Sequence, residues 1–91
     1  MIIDYDPVKS ARNERDRGLP FTVVERFEWE GAVFSEDNRF EYPERRFIAL
    51  GKIGLRVHVV CFTPIEDGIR VISLRKANPR EVRRYENATH G

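Results

Sequence analysis

From residue 31 onward the apolar positions recur with strand spacing. Ala32 to Asp37, Arg45 to Leu50, Leu55 to Thr63 and Ile69 to Arg75 are short runs rich in Val, Ile and Phe, bounded by turn material. The separators, Asn38 to Pro43, Gly51 to Gly54 and Pro64 to Gly68, are too short for a helical crossover. The pattern therefore predicts four strands in an antiparallel meander. Val57 to Phe62 is apolar at both parities, which fits a central strand covered on both faces or one bordering a partly closed pocket.

Before residue 31 the pattern is helical. A short extended start, Ile2 to Tyr5, leads into Asp6-Pro7-Val8, where Asp6 can accept from orphan N–H groups and Pro7 takes the first helical position. This helix should run to about Arg17 and stop at Gly18. It is so polar, with Val8 and Ala11 its clear apolar anchors, that docking must hold it. Thr22 and Glu25 have capping-box spacing, predicting a second helix over about 22 to 29 with Phe21 packed beneath. At the other end Asn78-Pro79-Arg80-Glu81 starts a last helix to about Asn87, with Val82 and Tyr85 on one side and a frayed tail from Ala88 to Gly91. The expected fold is α+β in the order β-α-α-β-β-β-β-α, a single domain over residues 1–91.

Composition narrows the function classes. The lone cysteine, Cys61, sits inside an apolar run and reads as a small buried hydrophobe. No stretch approaches the ~20 apolar residues of a membrane helix, and the start lacks a signal-peptide pattern, so a cytoplasmic protein is expected. The net charge of +1 hides an uneven distribution. Residues 25–44 carry seven acids against two bases, whereas residues 70–84 carry six bases against Glu81 alone.

The general tests for chemistry are mostly negative. Gly51-Lys52-Ile53-Gly54 has neither the length nor the flanking helix of a phosphate loop. Two histidines and one cysteine do not make a transition-metal site, and no cofactor is expected. Ser73 lacks any nucleophile-elbow context. The basic set remains. Arg80, Arg83 and Arg84 read first as a solvated helix face. Arg70, Arg75 and Lys76 bracket Val71-Ile72 on one strand, and Arg46 leads another. Arginines inside a sheet need a carboxylate partner, such as Glu81 or Glu44 for Arg75, or an anionic ligand. Such a face, with His58 as a proton carrier or merely a satisfied strand histidine, could hold an RNA backbone. It could also stabilise the phosphorane formed when a ribose 2′-OH attacks the adjacent phosphate, without a metal.

Asp4-Tyr5-Asp6-Pro7-Val8-Lys9, Asn13, Gly18 and Phe21, then Arg46-Phe47-Ile48-Ala49-Leu50-Gly51, then Val71-Ile72-Ser73-Leu74-Arg75-Lys76-Ala77 with Glu81 and Tyr85 resemble the BrnT family of bacterial toxins. The resemblance implies a ribonuclease toxin of a type II toxin–antitoxin pair, with a RelE-like fold whose helices pack on one face of a curved antiparallel sheet. It implies a translation- and growth-inhibiting activity and a cognate antitoxin with a DNA-binding domain, the complex repressing its own promoter. The family's recurrent basic positions fall on Arg46, Arg75, Lys76 and Lys9. Asp16-Arg17-Gly18 replaces the usual Lys-His pair before the glycine, which moves the preferred histidine role to His58, a position the family does not force; Tyr5 stands where Trp is usual.

Together these readings predict metal-independent RNA cleavage. Arg46 and Arg75 clamp the scissile phosphate, Lys9, Arg70 and Lys76 hold neighbouring phosphates, and His58 or Tyr85 assists proton transfer. The competing reading is a non-catalytic module binding an acidic partner or nucleic acid through the basic C-terminal segment. A DNA-binding factor acting alone is disfavoured, because no two-helix reading unit is visible.

Overall fold

The computed structural model describes residues 1–90. Its elements are β1 (Ile2–Asp4), α1 (Pro7–Arg17), a 3-10 helix (Phe21–Arg26), β2 (Val33–Glu36), β3 (Phe47–Ile53), β4 (Arg56–Ile65), β5 (Gly68–Lys76) and α2 (Pro79–His90). The strands form one sheet in the order β1-β5-β4-β3-β2.

Two helices and a four-stranded meander were expected, and both halves of that expectation are corrected. The segment after Pro20 is a six-residue 3-10 helix preceded by Pro20, with no side-chain cap, so the Thr22–Glu25 box does not form. Phe21, Val24 and Phe27, all buried, are spaced by three, and a helix of three residues per turn stacks them on one line against the sheet. The sheet has five strands and is mixed, because β1 pairs in parallel with the start of β5, Ile2 opposite Gly68 and Asp4 opposite Arg70. Gly68 permits this: a Cβ there would collide with the Ile2 carbonyl. With β1 in place, β5 is an internal strand.

The implied RelE-like arrangement, with helices on one face, is corrected as well. In β3 and β4 the side chains of Ala49, Val60 and Phe62 join Phe21, Val24 and Phe27 in one core, together with Ile69, Val71 and Leu74. The alternate positions Leu50, Val57 and Val59 join Ala77 and Tyr85, with Val82 against them, in a second core beneath α2. The two faces of the sheet are thus covered by different helices, which is why Val57 to Phe62 is apolar at both parities.

A bulge between Cys61 and Phe62 changes how β5 reads. Cys61 lies opposite Ser73, but Phe62 lies opposite Val71, so Ile72 is the extra residue. The side-chain alternation resets there. Arg70 and Arg75, five apart in sequence, consequently project from the same face.

Local chemistry fixes the helix ends. Asp6 Oδ1 accepts from the Val8 N–H at 2.8 Å, and the Gly18 N–H closes α1 on the Glu14 carbonyl. Polar α1 docks by hydrogen bonds: Ser10 Oγ accepts from the Phe21 N–H, and Asn13 Nδ2 donates to the carbonyls of Leu19 (2.7 Å) and Leu74 (2.9 Å). At α2, the Glu81 N–H donates to Asn78 Oδ1 and the Asn78 N–H to Glu81 Oε1, both at 2.9 Å, completing a capping box. The helix continues through His90 rather than fraying from Ala88, and Gly91 lies outside the described residues.

Candidate functional site: an arginine-lined sheet face

Helix α2 covers only part of its face of the sheet. Where it ends, the register continues into a transverse row. Arg70 lies opposite Asp4 on one side and Thr63 on the other. Phe47 pairs with Phe62, so Arg46, one residue earlier, continues the ladder opposite Thr63; the Asp37 N–H bonds the Arg46 carbonyl at 2.8 Å, extending it to the β2 side. One row therefore crosses every strand: Asp37, Arg46, Thr63, Arg70, Asp4.

The ends of this row are neutralised internally. Asp37, buried with its side chain 1 % exposed, accepts from Arg39 Nε (2.8 Å) and Nη2 (2.9 Å) and from the Tyr42 hydroxyl (3.1 Å). Those bonds, Arg39 foremost, hold its carboxyl far below the usual range and raise Arg39 in turn. At the other end Arg70 Nε donates to Asp4 Oδ2 at 2.9 Å, with Glu44 at 3.8 Å from Arg70 Nη1. Between them, the Arg46 guanidinium stacks 4.1 Å from the Tyr42 ring centroid. Its Nε and the Thr63 hydroxyl are buried without a hydrogen-bond partner among the described residues. Next to the row Cys61 lies opposite Ser73; burial pushes its thiol up, so it stays protonated at neutral pH. A cleft of about 310 Å³ between Glu36, Tyr42, Glu44 and Arg46 opens beside it.

Arg75 lies on the same face, opposite Val59, which itself lies opposite Leu50. From Leu50 to Arg46 is four positions of strand, about 13 Å, a gap that two extended arginine side chains can close between them. Arg75 is held by Glu81, Nη1 to Oε1 at 2.8 Å and Nη2 to Oε2 at 2.9 Å. This is the carboxylate pairing anticipated from sequence. The bond raises Arg75 and lowers Glu81, burial opposing both, and the Arg39 charge is near enough to oppose Arg75 as well. Two of the guanidinium's five N–H groups are thereby engaged, and its Nε remains for another acceptor.

The remaining sequence-nominated residues are elsewhere. His58 and Lys76 lie opposite one another and project from the other face, and the His58 Nδ1 is 2.8 Å from the Arg56 carbonyl. Burial, and secondarily the Arg56 and Lys76 charges, push His58 down, so its ring is neutral. Lys9 is exposed on α1, beside Arg12, Asn13 and Ile72. Tyr85 shares the face of Arg75 but is buried in the core under α2, lining a cleft with Lys52 and Val57. Lys52 is six positions of β3 from Arg46, about 20 Å. Arg46, Arg70 and Arg75 are thus brought to one surface; His58, Lys76 and Lys9 are not, and Tyr85 stands at its covered end.

Sequence reasoning missed Asp37, Arg39, Tyr42 and Thr63. Asp37 carried one available signal: at period 2 from Val33 and Ser35 it faces inward with them, an acid at a core-facing position. Among the described residues, no group of three His, Cys, Asp or Glu side chains is placed to hold a metal ion.

No curated relative and no solved structure matched the chain. A family model did, described as the ribonuclease toxin BrnT of type II toxin–antitoxin systems, over residues 5–81. That span takes in β2 to β5, the whole transverse row except Asp4, and the Arg75–Glu81 pair, and leaves out Tyr85. With most of its length matched, and with the arginine face inside the match, the chain belongs to the BrnT family of ribonuclease toxins of type II toxin–antitoxin systems.

Proposed function

We propose that this protein cleaves RNA without a metal, using Arg46, Arg75 and Arg70 on the open part of the sheet face, and thereby inhibits translation and growth. The observation that carries the reading is the convergence of these three arginines, two from β5 and one from immediately before β3, onto one surface inside the region matched to the ribonuclease family. Family membership implies an RNA target and an antitoxin partner. We assign that partner the DNA-binding domain and promoter-bound complex expected from the sequence, and a cytoplasmic setting.

The chemistry is transesterification within the RNA. The ribose 2′-oxygen attacks the adjacent phosphorus, the P–O5′ bond breaks, and a 2′,3′-cyclic phosphate and a 5′-hydroxyl result. The 2′-proton must leave and O5′ must gain one. The phosphorane carries two negative charges, which guanidinium groups match bidentately. Arg46 and Arg75 bind the scissile phosphate and Arg70 a neighbouring one. His58 has its ring on the far face, and Tyr85 stands at the covered end, so the reading rests its rate enhancement on the arginines rather than on either proton carrier. Lys9 and Lys76, outside this surface, contribute to the general attraction of a polyanion.

Arg46→Ala and Arg75→Ala should each lower cleavage by about 10²-fold, the scale of losing one preorganised transition-state donor. The assay is incubation of purified, folded variants with RNA in EDTA, reading new 5′-hydroxyl ends, alongside growth arrest on expression. Cleavage that persists in both variants would sink the assignment; cleavage abolished by EDTA in the wild type would sink its metal independence. Binding of RNA with no cleavage would favour the non-catalytic module.

A further inference from the structure

We infer that Arg46 Nε and the Thr63 hydroxyl form the floor of a subsite for an RNA phosphate oxygen, with Arg70 at its rim and Tyr42 as its lid. The inference rests on the RNA-cleaving reading for its ligand and on the geometry for its location.

A buried donor left without an acceptor is costly, and natural structures contain few. Here two of them are neighbours. Thr63 is 4 % exposed and lies opposite Arg70 in the β4–β5 register and, one step beyond the Phe47–Phe62 pair that ends the β3–β4 register, opposite Arg46, so all three side chains leave the same face. Directly opposed strand residues have Cβ atoms about 4.5–5.5 Å apart, close enough for both donors to reach one shared oxygen. Of the nearby carboxylates, Asp37 is saturated by Arg39 and Tyr42, Asp4 Oδ2 accepts from Arg70 Nε, and Glu44 stands 3.8 Å from Arg70 Nη1; none of them bonds Arg46 Nε or the Thr63 hydroxyl. What the pair lacks is an acceptor from outside the chain. Arginine Nε is a donor only, a hydroxyl can donate, and Arg70 adds a second guanidinium, so the missing acceptor is an anion. The Tyr42 ring closes the site from above by stacking on Arg46, and it belongs to the exposed connection between β2 and β3 rather than to the sheet. Lifting that connection exposes the floor without disturbing any strand pairing.

Phosphate is favoured over a carboxylate from a partner protein because the same face carries Arg75, four strand positions or about 13 Å away, where a further group of a polyanionic backbone would lie. Thr63 thereby becomes a positioning residue for the substrate, a role not visible from its place in an apolar strand.

The test uses the full chain labelled with ¹⁵N, following the Arg46 Nε–Hε signal, identified by its loss in Arg46→Lys. Inorganic phosphate, titrated at constant ionic strength, should shift this signal saturably, while acetate should not. Thr63→Val, nearly isosteric, should weaken the phosphate effect about tenfold, the loss of one hydrogen bond to a charged group, and Thr63→Ser should restore it. Thr63→Val should melt at or above the wild-type temperature, since it removes an unpaired buried hydroxyl. No saturable shift, an equal response to acetate, or a destabilised Thr63→Val that binds phosphate normally would each overturn the subsite. RNA cleavage in EDTA, run in parallel, separates the two claims. Cleavage without a phosphate response discards the subsite and keeps the ribonuclease. A phosphate response without cleavage does the reverse.

Discussion

Glu81 offers the sharpest test of how the arginine face is held, because one side chain serves both the cap of α2 and the restraint on Arg75. Glu81→Ala removes the acceptor for the Asn78 N–H and both acceptors for Arg75. The lost half of the capping box is worth about 0.5–1 kcal/mol. The ion pair has side chains 36 % and 19 % exposed, so solvent screening limits it to about 0.5–1 kcal/mol. The sum, about 1–2 kcal/mol, corresponds to a fall in melting temperature of about 6–12 °C for a domain of this size.

Glu81→Gln separates the two contributions. A glutamine keeps an oxygen for the Asn78 N–H and loses the charge, so its deficit should be about half that of Glu81→Ala. The sign with pH follows from the lowered Glu81 carboxyl, held down first by the Arg75 bond. A carboxyl depressed in the folded state contributes stability that is complete above its ordinary value, about 4.3, and is lost as pH falls through its folded value. Thermal melts of wild type and Glu81→Gln should therefore differ at pH 7 and converge below about pH 4. Equal melting temperatures at pH 7, or a gap that persists in acid, would refute the ion-pair argument and leave Glu81 with its capping role alone.

Two further outcomes follow from the other face. Gly51→Ala should destabilise by about 1–3 kcal/mol in urea titrations, because a Cβ there would meet Phe27 Cζ at 2.6 Å and the buried Phe27 ring has little room to retreat; an unchanged midpoint would contradict this. His58 is kept neutral by burial, so folding stability should fall as pH drops below about 6.5 and towards its lowered folded value. Stability measured between pH 5 and 8 should show this slope in the wild type and lose it in His58→Gln.

Short-range chemistry is legible directly in the chain. Asp6-Pro7 and Asn78-Pro79 start helices because a cap acts within three residues, and both helices begin there. The four strand segments after residue 31 were legible because apolar residues and turn residues alternate at strand length. The glycine ending the Arg46 to Gly51 element now has a reason, the Phe27 ring lying on it. The 3-10 segment has the local signature of an α-helix because Thr22 and Glu25 satisfy a short-range capping rule, while the three-residue spacing of Phe21, Val24 and Phe27 acts only once there is a sheet to pack against.

Which basic residues share a surface depends on strand register and on the bulge, and so on the packed fold. Arg75 and Lys76 are neighbours in sequence and project from opposite faces, while Arg70 joins Arg75 only because Ile72 is an extra residue in the ladder. Nothing local marks that bulge. The parallel pairing of β1 joins residues 66 positions apart and depends on the space left at Gly68. The row from Asp37 to Asp4 takes one residue from each strand region, and its unpaired centre at Arg46 and Thr63 exists only when the registers are set. The physical reason is the two-residue period of a strand: a slip of one position exchanges every side chain between faces, so the composition of a sheet face is a property of register, which the sequence encodes only through the whole packed core.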